Sequence, residues 1–168
     1  LTHKFTEVNN MAIVNIRDTG RNSAKTADVR ALATKVQKPS DTEAITAANT
    51  ITAAESGTRF VMNTATARIQ TLPSPAAGLE YWFYVGATEP TSSHTIVTAS
   101  SANIIVGNVS SPEDAAGSVA TVTDADTITL VANKAVHGDY VHVWSDGTNW
   151  YLDGQCKVQD AITTTQAS

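Results

Sequence analysis

From Ala44 onward, apolar and polar residues alternate in short bursts, and Gly, Pro, Ser or Asn separates nearly every burst from the next. A strand turns successive side chains to opposite faces. The pattern therefore predicts strands over 44–46, 50–52, 59–63, 67–72, 79–85, 94–98, 103–106, 119–122, 127–131, 140–144 and 150–156. Many short strands with frequent turn signals and no long helical period indicate an all-β fold, an antiparallel β-sandwich or jelly roll. Ser111-Pro112-Glu113-Asp114 fits one helical turn inside a long loop, with Ser as cap and Pro at the first helical position.

The last two strands flank Ser145-Asp146-Gly147-Thr148-Asn149, whose residues tolerate positive φ or bond their own backbone, and the whole reads as a hairpin. In its first strand Tyr140, His142 and Trp144 share one face, and Val141 and Val143 the other. Both faces are apolar enough to need neighbours, so Trp144 is expected in the core and Trp150 at most partly exposed. The run Tyr81-Trp82-Phe83-Tyr84-Val85 is apolar on both faces as well and is expected to be a central, packed strand.

The first 40 residues differ from this body. Met11–Ile16 offers one strand, Asp18–Ser23 a turn, and Ala27–Val36 a short helix with Val29, Leu32 and Val36 on one side. Their apolar content is too scattered for a core of their own. Residues 1–40 are thus expected to form an extended N-terminal arm and 41–168 the body, with Lys38-Pro39-Ser40-Asp41 as the boundary. Charge follows the same division. Residues 1–38 carry seven basic groups (Lys4, Arg17, Arg21, Lys25, Arg30, Lys35 and Lys38) against three acidic ones, a net +4, and the other 130 residues carry four basic and thirteen acidic, a net −9. Such asymmetry suggests that the two parts face different partners.

Composition narrows the function classes. The chain has 168 residues, enough for one domain with a real core. Its single Cys156 excludes an internal disulfide framework, and no Cys/His cluster has zinc-site spacing. No apolar run of membrane length and no signal-peptide pattern occurs, although the chain opens at Leu1 rather than Met. Only 16% of residues are charged and Thr is abundant, a surface common in proteins of large assemblies. Nucleic acid is disfavoured, because the body is acidic and the basic arm lacks interleaved aromatics. Without a secretion signal, the sequon Asn108-Val109-Ser110 reads as coincidental.

Enzyme signatures are missing: the sequence has no G-x-S-x-G elbow, H-E-x-x-H helix or phosphate-binding glycine loop. Paired carboxylates could still serve glycoside hydrolysis, which keeps Asp139, Asp146 and Asp153 in view. Asp124-Ala125-Asp126 resembles half of a calcium site but lacks further acidic ligands at the right spacing, so it reads as a turn. His137 reads as a turn residue and His142 as strand packing. No cofactor and no metal is expected. Trp144, Trp150 and Tyr151 could make a stacking platform for sugar rings, and with Trp144 expected in the core, Trp150 and Tyr151, near the turn, are the candidates for contact with a sugar ring.

Four stretches carry a family resemblance: Ser56-Gly57-Thr58-Arg59-Phe60-Val61-Met62-Asn63; Ile69-Gln70-Thr71-Leu72-Pro73 with Gly78-Leu79-Glu80-Tyr81-Trp82-Phe83-Tyr84-Val85; Ile104-Ile105-Val106-Gly107; and Asp146-Gly147-Thr148-Asn149-Trp150-Tyr151-Leu152. Over about residues 50–155 the chain resembles the β-sandwich modules of tailed-bacteriophage virion proteins, especially the head decoration, or cement, proteins. The resemblance implies a non-enzymatic homotrimer on the outer capsid surface of the virion, bound to the major capsid protein through an extended arm. Here that arm would contribute Lys4, Arg17, Arg21, Lys25, Arg30 and Lys35. Similar modules in tail fibres imply the alternative of a receptor-binding module that contacts glycan through Trp150 and Tyr151.

Overall fold

A computed structural model describes residues 41–112 and 119–168. The chain divides into two units, Leu1–Pro39 and Ser40–Ser168, and the described residues belong to the second. The arm, with its expected strand, helix and six capsid-binding basic residues, lies outside the described residues, as do Glu113 and Asp114 of the expected loop turn.

The body is mostly β. Its strands are β1 (Thr42–Ala44), β2 (Asn49–Thr50), β3 (Arg59–Met62), β4 (Ile69–Thr71), β5 (Glu80–Val85), β6 (His94–Val97), β7 (Ile105–Ser110), β8 (Val119–Ala125), β9 (Thr127–Leu130), β10 (Tyr140–Ser145), β11 (Trp150–Gln155) and β12 (Ile162–Thr165). They form a seven-stranded sheet in the order β1-β3-β5-β10-β11-β7-β8 and a five-stranded sheet in the order β12-β9-β6-β4-β2. Every strand predicted from Ala44 onward has a counterpart here, and β12 is an addition. β7 continues past Val106 to Ser110, and β8 past Val122 to Ala125.

Strand pairing corrects the expectation of a purely antiparallel fold. From β1 to β6 the chain alternates between the sheets, so that β1, β3 and β5 lie side by side in one, β2, β4 and β6 in the other, all parallel. β11 and β7 are parallel too, whereas the β5–β10, β10–β11, β7–β8, β6–β9 and β9–β12 pairs are antiparallel. A parallel neighbour requires a crossover rather than a tight turn. In this fold each early crossover is itself a strand of the opposite sheet, so the chain winds through three coils before its hairpins close the structure. This departs from the all-antiparallel jelly roll.

Both sheets contribute their buried faces to one hydrophobic cluster. The larger sheet supplies Phe60, Tyr81, Phe83, Val141, Val143, Trp150 and Leu152, and the smaller Ile96, Ile128, Leu130 and Ile162. Phe60 stacks on Phe83 at 5.3 Å between centroids, and Tyr81 leans on Trp150 at 5.9 Å. Tyr81 is fully buried but not orphaned, because its hydroxyl donates to the Thr52 carbonyl at 2.9 Å. Burial first, and then the charge of Glu55, push its pKa up to about 12.

His94 is a buried polar member of the smaller sheet. Its Nδ1 accepts from the Arg68 N–H at 3.1 Å and its Nε2 lies 3.0 Å from the Thr64 carbonyl, an arrangement that suits the neutral imidazole protonated at Nε2. Burial holds its pKa below the ordinary value, and the Arg68 charge adds to that, against the Thr64 bond, which acts in the opposite sense. The unfolded chain then takes up a proton at about pH 6.5 while the folded chain stays neutral. Stability from this group is complete above that pH and is lost as pH falls toward the folded value. We expect the urea midpoint to drop between pH 7.5 and pH 5.5, and His94→Gln to flatten that drop. An equal slope in both proteins would assign the dependence elsewhere.

Candidate functional site

Alternation along β5, β10 and β11 places a second aromatic set on the solvent side of the larger sheet. Cross-strand register sets Tyr84 beside Tyr140, Trp82 beside His142, and Glu80 beside Trp144, which in turn sits beside Tyr151. These rings stack. Trp82 and His142 lie 3.8 Å apart and 10° from parallel, and Trp144 and Tyr151 4.3 Å apart and 14° from parallel. Tyr140 bridges Trp82 and Tyr84 at 5.9 and 5.7 Å. The face therefore carries six rings, which cover much of one another's faces along the stacks.

The structure corrects the expected placement of Trp144. That residue is 43% exposed, while Val141 and Val143 point inward and Trp150 is fully buried. Register explains why. Ser145 pairs with Trp150, so the inward set of β10 continues into Trp150 and Leu152, and Trp144 must share the outer side with Tyr151 and Asp153. Of the two glycan-contact candidates, Trp150 is excluded by burial and Tyr151 lies on the outer face. Trp144, expected in the core, is instead exposed on that face, stacked on Tyr151.

The ledge formed by Trp144 and Tyr151 is fixed from below by the turn. The Asp146 Oδ1 accepts from the Thr148 and Asn149 N–H groups at 2.8 and 2.9 Å, and Oδ2 accepts from the Tyr151 hydroxyl at 3.0 Å. Bonds from Asn149 first, then Thr148 and Tyr151, hold the Asp146 carboxyl below its ordinary pKa, and the same carboxylate raises that of Tyr151. Tyr140 is raised by burial, then by Asp153 and Tyr84. At the centre, His142 Nε2 lies 3.5 Å from the Glu80 carboxylate. These groups orient rings and offer acceptors at the rim, an arrangement suited to binding.

The three carboxylates kept in view for hydrolysis sit in different surroundings. Asp153 lies opposite His142 on β11, and Asp146 lies in the turn, where Thr148, Asn149 and Tyr151 donate to it. Asp139 lies in an open cleft of about 390 Å³ beside Ser110, Cys156 and Lys157. Both its oxygens are occupied, Oδ2 by the Val136 N–H at 2.9 Å and Oδ1 by the Lys157 N–H at 3.0 Å. The Cys156 thiol there donates to the Ser110 carbonyl, and burial raises its pKa away from the reactive thiolate. His137 is exposed, receives the Lys157 ammonium on its carbonyl, and donates its N–H to Glu89. Asp124 is exposed with φ 53° where the chain leaves the larger sheet, and Asp126 is buried with its backbone bonded to Thr98 and Thr165. Among the described residues no three acidic, His or Cys side chains gather to hold a metal ion.

The smaller sheet has an outer face of a different kind. One row across it reads Thr163, Thr129, Thr95 and Ile69, and the next Thr165, Thr127, Val97, Thr71 and Thr50. No position in either row is ionisable. Comparison with protein-family models, curated proteins and solved structures gives no match.

Proposed function

We propose that the chain is a non-enzymatic virion protein, a β-sandwich that decorates the outer head of a tailed bacteriophage as a trimer and stabilises the capsid through its basic N-terminal arm. The observation that supports it best is where the body keeps the side chains free for contact. They lie on two broad sheet faces, one aromatic and one of threonine, while the carboxylate and thiol of its cleft are tied to backbone groups. Broad faces suit surface-to-surface contact. The charge division supports the arm's part: a +4 segment joined to a −9 body can seek an acidic partner that the body itself would repel.

Deleting residues 1–38 is expected to leave a folded body, with unchanged β-type circular dichroism, that no longer co-sediments with undecorated heads. Raising salt from 0.1 to 1 M should weaken attachment of the whole chain, since the Debye length shrinks from about 10 to 3 Å. Full binding by the truncated protein would refute the arm's role.

A second reading, a glycan-binding module of a tail fibre, is favoured by one observation. Trp144 is exposed and held in place by Tyr151 and Asp146, and a fixed, exposed indole is a good anchor for a sugar ring or a partner.

A further inference from the structure

We infer that Trp144 and Glu80 form a receptor for a guanidinium group, the arginine side chain of a partner protein. The inference goes beyond the capsid reading, which leaves open what chemistry the faces of the body recognise. Register puts Glu80 of β5 directly beside Trp144 of β10, on the side away from Tyr151. Tyr151 covers one face of the indole by stacking. On the other side the Glu80 carboxylate reaches along the sheet to within 3.5 Å of His142 Nε2, and indole surface stays open to a ligand. Trp144 is 43% exposed and the Glu80 side chain 52%. The indole is also held in place, because Tyr151 beneath it is bonded to Asp146, so little freedom is lost on binding.

Charge selects a cation as the occupant. The face of an indole attracts cations more strongly than that of any other side-chain ring. Three exposed carboxylates surround the Trp144–Tyr151 stack: Glu80 beside Trp144, Asp153 one step along β11, and Asp146 in the turn. The fixed cation of this face is Arg59, beside Trp82 on β3 and two strands away from Trp144. These four groups leave a formal −2 within a body of −9, a field that favours a cation and opposes an anionic ligand. Among cations the guanidinium fits best. It is planar and stacks on aromatic faces, its edge forms paired hydrogen bonds with a carboxylate, and it sheds water more readily than an ammonium. A neutral sugar also stacks on an indole, but it gains little from the excess of carboxylates. The site opens on a broad sheet face, and tryptophan and arginine are the side chains that most often anchor contacts between proteins.

The test follows the indole N–H signal of Trp144 in NMR spectra of the whole isotope-labelled chain, assigned by its absence in Trp144→Phe, with the buried Trp150 as reference. The probes are an acetylated, amidated tripeptide with a central arginine, the same peptide with citrulline, which keeps the shape and loses the charge, and a trimer of N-acetylglucosamine. We expect the arginine peptide to shift the Trp144 signal with a dissociation constant of order millimolar, the scale of one stacked cation with one charged contact. The citrulline peptide should bind at least about tenfold more weakly. Glu80→Gln, made at an exposed side chain, should weaken the arginine peptide by about tenfold too, with the Trp150 signal unmoved. Equal binding of the two peptides, unchanged affinity in Glu80→Gln, or no shift of Trp144 with the arginine peptide overturns the inference. Tighter binding of the sugar trimer than of the arginine peptide overturns it as well and supports the glycan reading. The arm's role is read separately, by co-sedimentation with heads, so either idea can fail without the other.

Discussion

Trp150→Ala is expected to lower the unfolding free energy by about 3–5 kcal/mol, the range for deleting a buried tryptophan, and thus to remove a large part of a stability of order 5–15 kcal/mol. Trp150 is fully buried, leans on Tyr81 and belongs to the central cluster, so alanine leaves a cavity that the flanking strands cannot close. One detail refines the expectation. The Trp150 Nε1 is buried without a hydrogen-bond partner, so Trp150→Phe discards an unsatisfied donor along with volume and should cost clearly less than alanine. Trp144→Ala gives the contrast. It loses one stack on Tyr151, worth about 0.5–1.5 kcal/mol, and should shift the urea midpoint only slightly. Equal losses in Trp144→Ala and Trp150→Ala would mean that the hairpin presents its faces the other way round. The same Trp144→Ala protein decides the glycan reading: intact stability with lost retention on host cell-wall glycan would support it, and unchanged retention would remove it.

The position of the last hairpin is legible in the sequence, but its facing is legible in only one of the two strands. In β10 both alternating sets are apolar, so size alone sends Trp144 inward. In β11 the sets are distinct: Trp150, Leu152 and Gly154 are buried, while Asp153 and Gln155 are exposed. Because antiparallel partners share a side of the sheet, the clear alternation of β11 settles that of β10 through the Ser145–Trp150 pair. The parallel winding is out of reach for another reason. Gly, Pro and Asn mark where the chain turns, but not whether the next strand joins the same sheet or the opposite one. β12 escapes a reading by pattern because Ile162 is its only residue with an aliphatic core side chain, followed by three threonines. Its signal lies in pairing with Thr129 and Thr127, which only the folded register reveals. The threonine face is hidden for the same reason, being assembled from five strands that each contribute one or two residues.

Gly107→Ala should be as damaging as the loss of a core aromatic, although it adds a single methyl group. Gly107 has φ +149°, and a Cβ there would stand 2.0 Å from the Leu152 carbonyl oxygen and 2.8 Å from that residue's backbone C and N. The obstacle is the main chain of the neighbouring strand, since Gly107 pairs with Leu152 in the parallel β7–β11 ladder. No rotamer change relieves it, so β7 must move away from β11. On its other edge β7 already shifts register against β8 between Ile105 and Gly107, an irregularity of the kind glycine permits. Backbone strain of about 1–3 kcal/mol and overpacking of about 1–3 kcal/mol together give an expected loss of roughly 2–6 kcal/mol. Gly154→Ala is the control, because its Cβ would meet Val109 Cγ2 at 3.2 Å, a side-chain atom that can yield. Hydrogen exchange then locates the damage. β8 joins the sheet only through β7, so amides of β7 and β8 should lose protection in Gly107→Ala while those of β5 and β10 keep theirs. A Gly107→Ala protein within about 1 kcal/mol of wild type would show that β7 does not run this close to Leu152, and would undo the β7–β11 pairing that joins β7 and β8 to the aromatic-bearing strands.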